Sequence, residues 1–285
     1  MPKYPQFCVV TTNFYPEPMK IAIVGCGNMG MAFAKSFLQY DLVKKENLLL
    51  IEKSADRAAT LRTENTGVVI ETISTHIGEY DIVILSVKPQ DFASVQEALR
   101  EVLQPQQVIL SIMAGIPIAN IQEKLDHRLV IRAMPNTPAM LGMGITGFSA
   151  AKELNFAQLL KVDNLINATG RSVFLEDESM LDAVTALSGS GPAYFYYLVK
   201  AMVEAGKQMG FEESLATQLV KQTMLGSFHL INNADKSLDD LIKAVASKGG
   251  TTEAALREFE AGNLAKTLQT GILAAERRAK ELSKG

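Results

Sequence analysis

Lys20-Ile-Ala-Ile-Val24 runs straight into Gly25-Cys-Gly-Asn-Met-Gly30, and no other feature narrows the possible folds as far. A short apolar run that ends on glycines reads as a buried strand. Met29 to Tyr40 then keeps helical spacing, with Phe33 and Phe37 one turn apart. In a strand–turn–helix of this kind each glycine has its own reason. Gly25 makes the tight turn, Gly27 lets a pyrophosphate approach the backbone, and Gly30 lets helix and strand pack closely. The helix start offers N–H groups and a partial positive charge to a phosphate. Val24, Gly25, Cys26, Gly27, Asn28, Met29 and Gly30 are therefore read as a dinucleotide cradle; the plainer alternative is an ordinary strand–helix turn.

The chain keeps the same rhythm over the next hundred residues or so. Leu48 to Glu52, Asp81 to Val87, Val108 to Met113, Leu129 to Met134 and Ile145 to Ala150 read as strands. Asp56 to Glu64, Gln90 to Val102 and Ala119 to Leu125 read as helices between them. Such alternation predicts a parallel sheet wrapped by helices, an α/β fold. After about residue 165 the pattern changes. Val173 to Glu176 is one last strand-like run, and from Ser179 on only helical patterns remain: Pro192 to Gly210, Ser214 to Asn232, Leu238 to Ala246, Thr252 to Ala261 and Asn263 to Lys284. Pro192 fits the first turn of its helix. Pro192 to Leu198 is apolar all round, which predicts a helix buried on several sides and packed against a second subunit. The expected division is a flexible extension over 1–18, a dinucleotide-binding domain over 19–170 and a helical domain over 171–285. The extension holds four prolines and no signal-peptide core.

Open parallel sheets bind ligands at the carboxyl ends of their strands. Four segments lie there. Glu52-Lys53 ends the second strand, where a carboxylate usually bonds the ribose hydroxyls of NAD and repels the 2′-phosphate of NADP. One charge pair at ~4 Å and an effective dielectric of ~20 amounts to about 4 kcal/mol before screening. If Glu52 faces the ribose NADH gains; if Lys53 faces in NADPH does; the plainer alternative leaves both side chains solvated. Ser86-Val87-Lys88-Pro89 and Met113-Ala114-Gly115 close two further strands, and Asn136, between two prolines, offers an amide to nicotinamide or substrate. Together they trace one rim.

A second anion site lies far downstream. In Ser247-Lys-Gly-Gly-Thr-Thr-Glu-Ala254 two glycines turn the chain and two threonines open a helix. That combination suits a small carboxylate, although a plain capped turn reads the same way. Ser188-Gly-Ser-Gly-Pro192 is no serine nucleophile: it lies between helices rather than after a strand, and no His is placed beside it. A net charge of −3 without a basic block argues against nucleic acid. No apolar run reaches membrane-spanning length. Two cysteines and three scattered histidines give neither a disulfide framework nor a metal site, and they suit a reducing cytoplasm.

The chain resembles the pyrroline-5-carboxylate reductases. The resemblance rests on Val24 to Gly30, Ser86-Val-Lys-Pro89, Ser111-Ile-Met-Ala-Gly115, Arg132-Ala-Met-Pro-Asn-Thr-Pro138, Ala186-Leu-Ser-Gly-Ser-Gly-Pro-Ala-Tyr194 and Ser247-Lys-Gly-Gly-Thr-Thr252, in the family's order. It implies an N-terminal Rossmann-type doubly wound sheet, a C-terminal helical dimerisation domain, and reduction of pyrroline-5-carboxylate to L-proline by NADPH or NADH. It implies a homodimer, with dimers able to assemble into a ring. The substrate carboxylate would rest on Gly249, Gly250, Thr251 and Thr252 with help from Ser247, and Thr252 would hydrogen-bond the ring nitrogen. Two positions depart from the family pattern: Lys248 stands where the family has proline, and Glu52 where it commonly has no acid. The rival enzyme reading is a β-hydroxyacid dehydrogenase, which lacks its lysine–asparagine pair here because Glu204 follows Lys200. A non-catalytic dinucleotide-binding protein is the third reading.

Overall fold

The structure, a computed structural model, describes residues 19–283. The extension expected over 1–18 lies outside the described residues. The described chain forms two compact units, one up to Gly189 and again from Arg278 on, the other Ser190–Arg277.

The first unit is built on one eight-stranded sheet with the order β3-β2-β1-β4-β5-β6-β7-β8. Its strands are β1 (Ile21–Val24), β2 (Leu48–Ile51), β3 (Val68–Ile70), β4 (Ile82–Leu85), β5 (Val108–Ser111), β6 (Val130–Met134), β7 (Gly144–Ala150) and β8 (Gly170–Phe174). β1, β2, β4 and β5 are buried along their whole length, as strands covered on both faces must be. The helices are α1 (Asn28–Gln39), α2 (Ala55–Glu64), α3 (Gln96–Val102), α4 (Ile118–Leu125), α5 (Phe156–Asn167) and the short α6 (Met180–Val184). Phe33 and Phe37 of α1 meet edge to face at 5.7 Å and are fully buried. Each such side chain contributes roughly 1.5–3 kcal/mol by leaving water.

The chain leaves β1 for β2 on one side and returns to β4 on the other, so β1 and β4 are neighbours with a switch in winding direction between them. Crevices at such switch points, at the carboxyl ends of the strands, are where these sheets bind ligands.

Several features differ from the sequence reading. β3 was not expected: it has three residues and is only partly buried, too short for periodicity to register. α5 was also missed. Its start is a capping box in which Asn155 and Gln158 exchange side-chain and backbone bonds, and Val162, Leu165 and Ile166 face the core. β7 runs antiparallel to β6, although strand–helix alternation predicted a parallel sheet. Only the short turn Thr137–Leu141 separates the two strands, and parallel neighbours need a crossover of a dozen or more residues. The sheet-bearing unit also continues past residue 170, through β8 and α6 to Gly189.

The second unit is helical: α7 (Gly191–Gln208), α8 (Glu213–Asn233), α9 (Leu238–Val245), α10 (Thr251–Ala261) and most of α11 (Leu264–Leu282). Pro192 stands in the first turn of α7, as expected. The same helix was expected to be buried on several sides. Within this chain it is not, since Tyr196 and Tyr197 are 65% and 74% exposed. Leu219, Phe228, Ile231 and Phe259 are exposed too. The apolar surface is present, but the chain does not cover it with itself.

Candidate active site

The glycine loop between β1 and α1 is held by backbone on several sides. Gly25 N–H donates to Ile51 O at 2.9 Å, and Ser86 N–H donates to Val24 O at 2.9 Å. Gly25 has φ +94°, and a Cβ there would stand 2.8 Å from Ser86 O. A Cβ on Gly30 would strike the Gly25 carbonyl. Gly27 is the opposite case: a Cβ would meet nothing within 4 Å. It is also the N-cap of α1 and carries no side-chain cap, whereas α2, α5 and α9 are each capped by a side chain. Two crowded glycines around an open one, at an uncapped helix start, form the cradle that a pyrophosphate fits. The residues present thus fit a bound dinucleotide.

Beside this loop the two charges after β2 part company. Glu52 Oε2 accepts from Cys26 N–H at 3.3 Å and Oε1 accepts from Ser54 N–H at 3.0 Å. Lys53 turns to Asp91, with Nζ 3.4 Å from Oδ1. Cys26 itself is buried, and its thiol is pushed up to about 12 by burial and then by the charge of Glu52. It stays protonated, with Sγ 3.6 Å from Ile51 O, and is no nucleophile.

Other predicted rim residues lie at neighbouring strand ends. Ser86-Val87 follow β4, and Ser86 Oγ lies 3.0 Å from where a Gly30 Cβ would stand. Lys88 caps the turn Pro89–Ser94, its carbonyl accepting from Asp91 N–H at 2.8 Å. Met113 is buried just past β5, while Ala114 and Gly115 are partly open. Asn136 has a structural bond: its Oδ1 accepts from Ile145 N–H at 3.0 Å and pins β7 to the end of β6.

A buried ion cluster supports this rim, and sequence reasoning missed it. Arg132 in β6, with its side chain 5% exposed, donates to Glu178 Oε1 at 3.1 Å and to Asp182 Oδ1 at 3.2 Å. Glu178 Oε1 also accepts from Ile118 N–H at the start of α4, at 2.8 Å, and Ser283 Oγ donates to Asp182 at 2.7 Å. One guanidinium thus ties β6, α4, α6 and the end of α11. An arginine inside the apolar run Val130–Met134 was the available signal.

In the helical unit, Ser247, Gly249, Gly250, Thr251 and Thr252 gather at the start of α10. Gly250 N–H donates to Ser247 O at 2.9 Å. Gly250 is the N-cap and has no side-chain cap. A Cβ on it would press on Ser247 Oγ, so the serine hydroxyl lies beside the helix start. Gly249 has φ +72° and open space around it. Its N–H donates to Glu253 Oε2. The predicted substrate residues therefore lie together at one exposed, glycine-led helix start. Ser188, by contrast, donates to its own helix at Val184 O, 3.1 Å away.

Comparison with known proteins agrees with both halves. Residues 178–282 match the family model for pyrroline-5-carboxylate reductase dimerisation. Residues 20–115 match the one for coenzyme F420-dependent NADP oxidoreductases. Pyrroline-5-carboxylate reductase of Pseudomonas aeruginosa is 37% identical over 265 residues, spanning 93% of this chain and 97% of that one. Among solved structures, a pyrroline-5-carboxylate reductase from Coxiella burnetii aligns with TM-score 0.85 and 29% identity over 94% of this chain and 100% of that one. The pyrroline carboxylate reductase of Plasmodium falciparum, solved with NADP bound, aligns with TM-score 0.84 and 27% identity over 93% and 98%.

Proposed function

The chain belongs to the pyrroline-5-carboxylate reductase family, and from that premise we propose that it reduces 1-pyrroline-5-carboxylate to L-proline with a reduced nicotinamide dinucleotide, the last step of proline biosynthesis. The observation that carries this reading is the second glycine-led helix start. A dinucleotide cradle alone fits many reductases. The uncapped start of α10, with Ser247 beside it, adds a seat for a small carboxylate.

The substrate carboxylate rests on the N–H groups of Thr251 and Thr252, next to the Gly250 cap whose own N–H is held by Ser247 O, and is helped by the Ser247 hydroxyl. Charge-assisted bonds of this kind are short and directional, so they fix the ring as well as hold it. The Thr252 hydroxyl hydrogen-bonds the ring nitrogen. Held on the Gly25–Gly30 loop, a reduced dinucleotide would supply the hydride for the imine carbon; the ring nitrogen would take its proton from solvent, and the C=N bond would become a C–N single bond. A protonated imine is already electrophilic, so orientation by the chain can supply much of the rate without a strong acid or base.

The exposed aromatic face of α7 suits the core of a homodimer, since a monomer rarely leaves so much apolar surface open. Assembly of dimers into a ring and a cytoplasmic location complete the proposal. Among the described residues no helix is long and apolar enough to cross a membrane.

The test is oxidation of NADH or NADPH on adding pyrroline-5-carboxylate, with proline identified as product. A 3-hydroxy acid assayed with the oxidised cofactor tests the rival dehydrogenase. No turnover of pyrroline-5-carboxylate by folded, dinucleotide-binding protein would end this reading. Thr252→Ala compared with Thr252→Val, on kcat and KM separately, then sorts orientation from proton transfer.

A further inference from the structure

We propose that this chain selects NADH over NADPH, and that Glu52 is the residue that sets the preference. The inference rests on the dinucleotide reading of the glycine loop. A carboxylate at the end of the second strand accepts hydrogen bonds from the adenosine ribose hydroxyls. Glu52 occupies that place, directly after β2 and beside β1.

Sequence left open whether Glu52 or Lys53 faces the loop, and the bonds of each resolve it. Glu52 reaches back over the glycine loop and takes the N–H groups of Cys26 and Ser54, one on each carboxylate oxygen. Two backbone donors fix its direction. A 2′-phosphate arriving there would meet a fixed negative charge, and would find those two donors already used. A ribose hydroxyl meets an acceptor with lone pairs to spare.

The two cations that could meet a 2′-phosphate are each paired with a carboxylate, although the Arg57 charge still reaches the Cys26 thiol in the glycine loop. Lys53 is 71% exposed in its side chain and leans on Asp91. Arg57, in the first turns of α2, has Nη1 3.7 Å from Glu64 Oε1. Exposed pairs of this kind hold loosely, so both cations temper the preference without reversing it.

Calorimetric titration of the protein without substrate, at one fixed ionic strength, reads the preference apart from turnover. NADH is expected to bind roughly ten- to hundredfold more tightly than NADPH, the span that one hydrogen bond to a charged group covers. Glu52→Ser should collapse that ratio, with NADH weakened and NADPH strengthened. Glu52→Gln keeps the shape and removes the charge, so it should raise NADPH affinity even if the serine variant folds poorly. Asp91→Asn should raise NADPH affinity about two- to fivefold by releasing Lys53. ADP against its 2′-phosphorylated form isolates the ribose end and should repeat the wild-type ratio. Tighter or equal binding of NADPH by the wild type, or an unchanged ratio in Glu52→Gln, overturns the proposal alone. Failure of the wild type to bind either cofactor overturns the cradle reading beneath it as well.

Discussion

The start of α1 and the start of α10 are both led by glycines, uncapped by any side chain, and approached by a carboxylate. They are made from different surroundings. At α1 the glycines are crowded by Ser86 and by each other, and the acid, Glu52, comes from a separate element and holds two backbone N–H groups. At α10 the turn is exposed, Gly249 has space around it, and the acid, Glu253, comes from the helix's own first turn. A crowded frame keeps one geometry and can discriminate between ligands that differ by a phosphate. An open frame can exchange its own carboxylate for that of a ligand. On the proposed assignment, the first start would select and hold the cofactor, and the second would receive and release a small acid.

The contrast can be broken most forcefully beneath the crowded rim. Arg132→Met leaves the buried Asp182 and the part-buried Glu178 without their cation, which should cost about 3 kcal/mol; chemical denaturation measures it. Next come the glycines. Gly30→Ala must push the Gly25 carbonyl and should cost about 3 kcal/mol together with most dinucleotide binding. Gly249→Ala meets no atoms and carries only the left-handed backbone penalty of about 1–2 kcal/mol. Similar losses at the two positions would erase the distinction between a crowded and an open start.

Glu253→Gln probes the open start more gently. It removes a negative charge beside the proposed carboxylate seat while keeping a group able to bond Gly249. KM for pyrroline-5-carboxylate should fall about two- to fivefold, in line with an exposed charge pair, and the cofactor Kd should stay as it is. The smallest effect belongs to neither start. His127 is buried, its Nε2–H donating to Gln107 O at 2.7 Å, and burial lowers its pKa below the ordinary 6.5. The unfolded chain therefore takes up the proton first. Stability from this site is complete above about pH 6.5 and declines as pH falls from there toward the folded pKa. His127→Gln should make the fall in Tm over that range shallower; a steeper fall would mean the imidazole gains rather than loses on charging.

Much of this was legible in the sequence because it is local. The buried strands announce themselves as apolar runs, and both glycine turns sit beside the helices they open. The illegible parts depend on distant partners or on side-chain direction. Arg132 meets residues 46 and 50 positions away, and Asp182 meets Ser283 at a separation of 101. The sign of the Glu52–Lys53 pair turns on which side chain finds the loop's N–H groups, and spacing says nothing about that. The direction of β7 follows from the brevity of one turn. The aromatic face of α7 was read as buried because its composition demands cover, whatever supplies that cover.

Gly250→Ala tests the division of labour most directly. Its Cβ would press on Ser247 Oγ at the proposed carboxylate seat. The measurement is KM for pyrroline-5-carboxylate alongside the equilibrium Kd for NADH in the same folded variant. KM should rise about tenfold or more, the loss expected when charge-assisted bonds are disturbed, while the Kd for NADH stays within about twofold of the wild type. An unchanged KM, or a Kd that rises in step with it, would contradict two separate seats for cofactor and substrate.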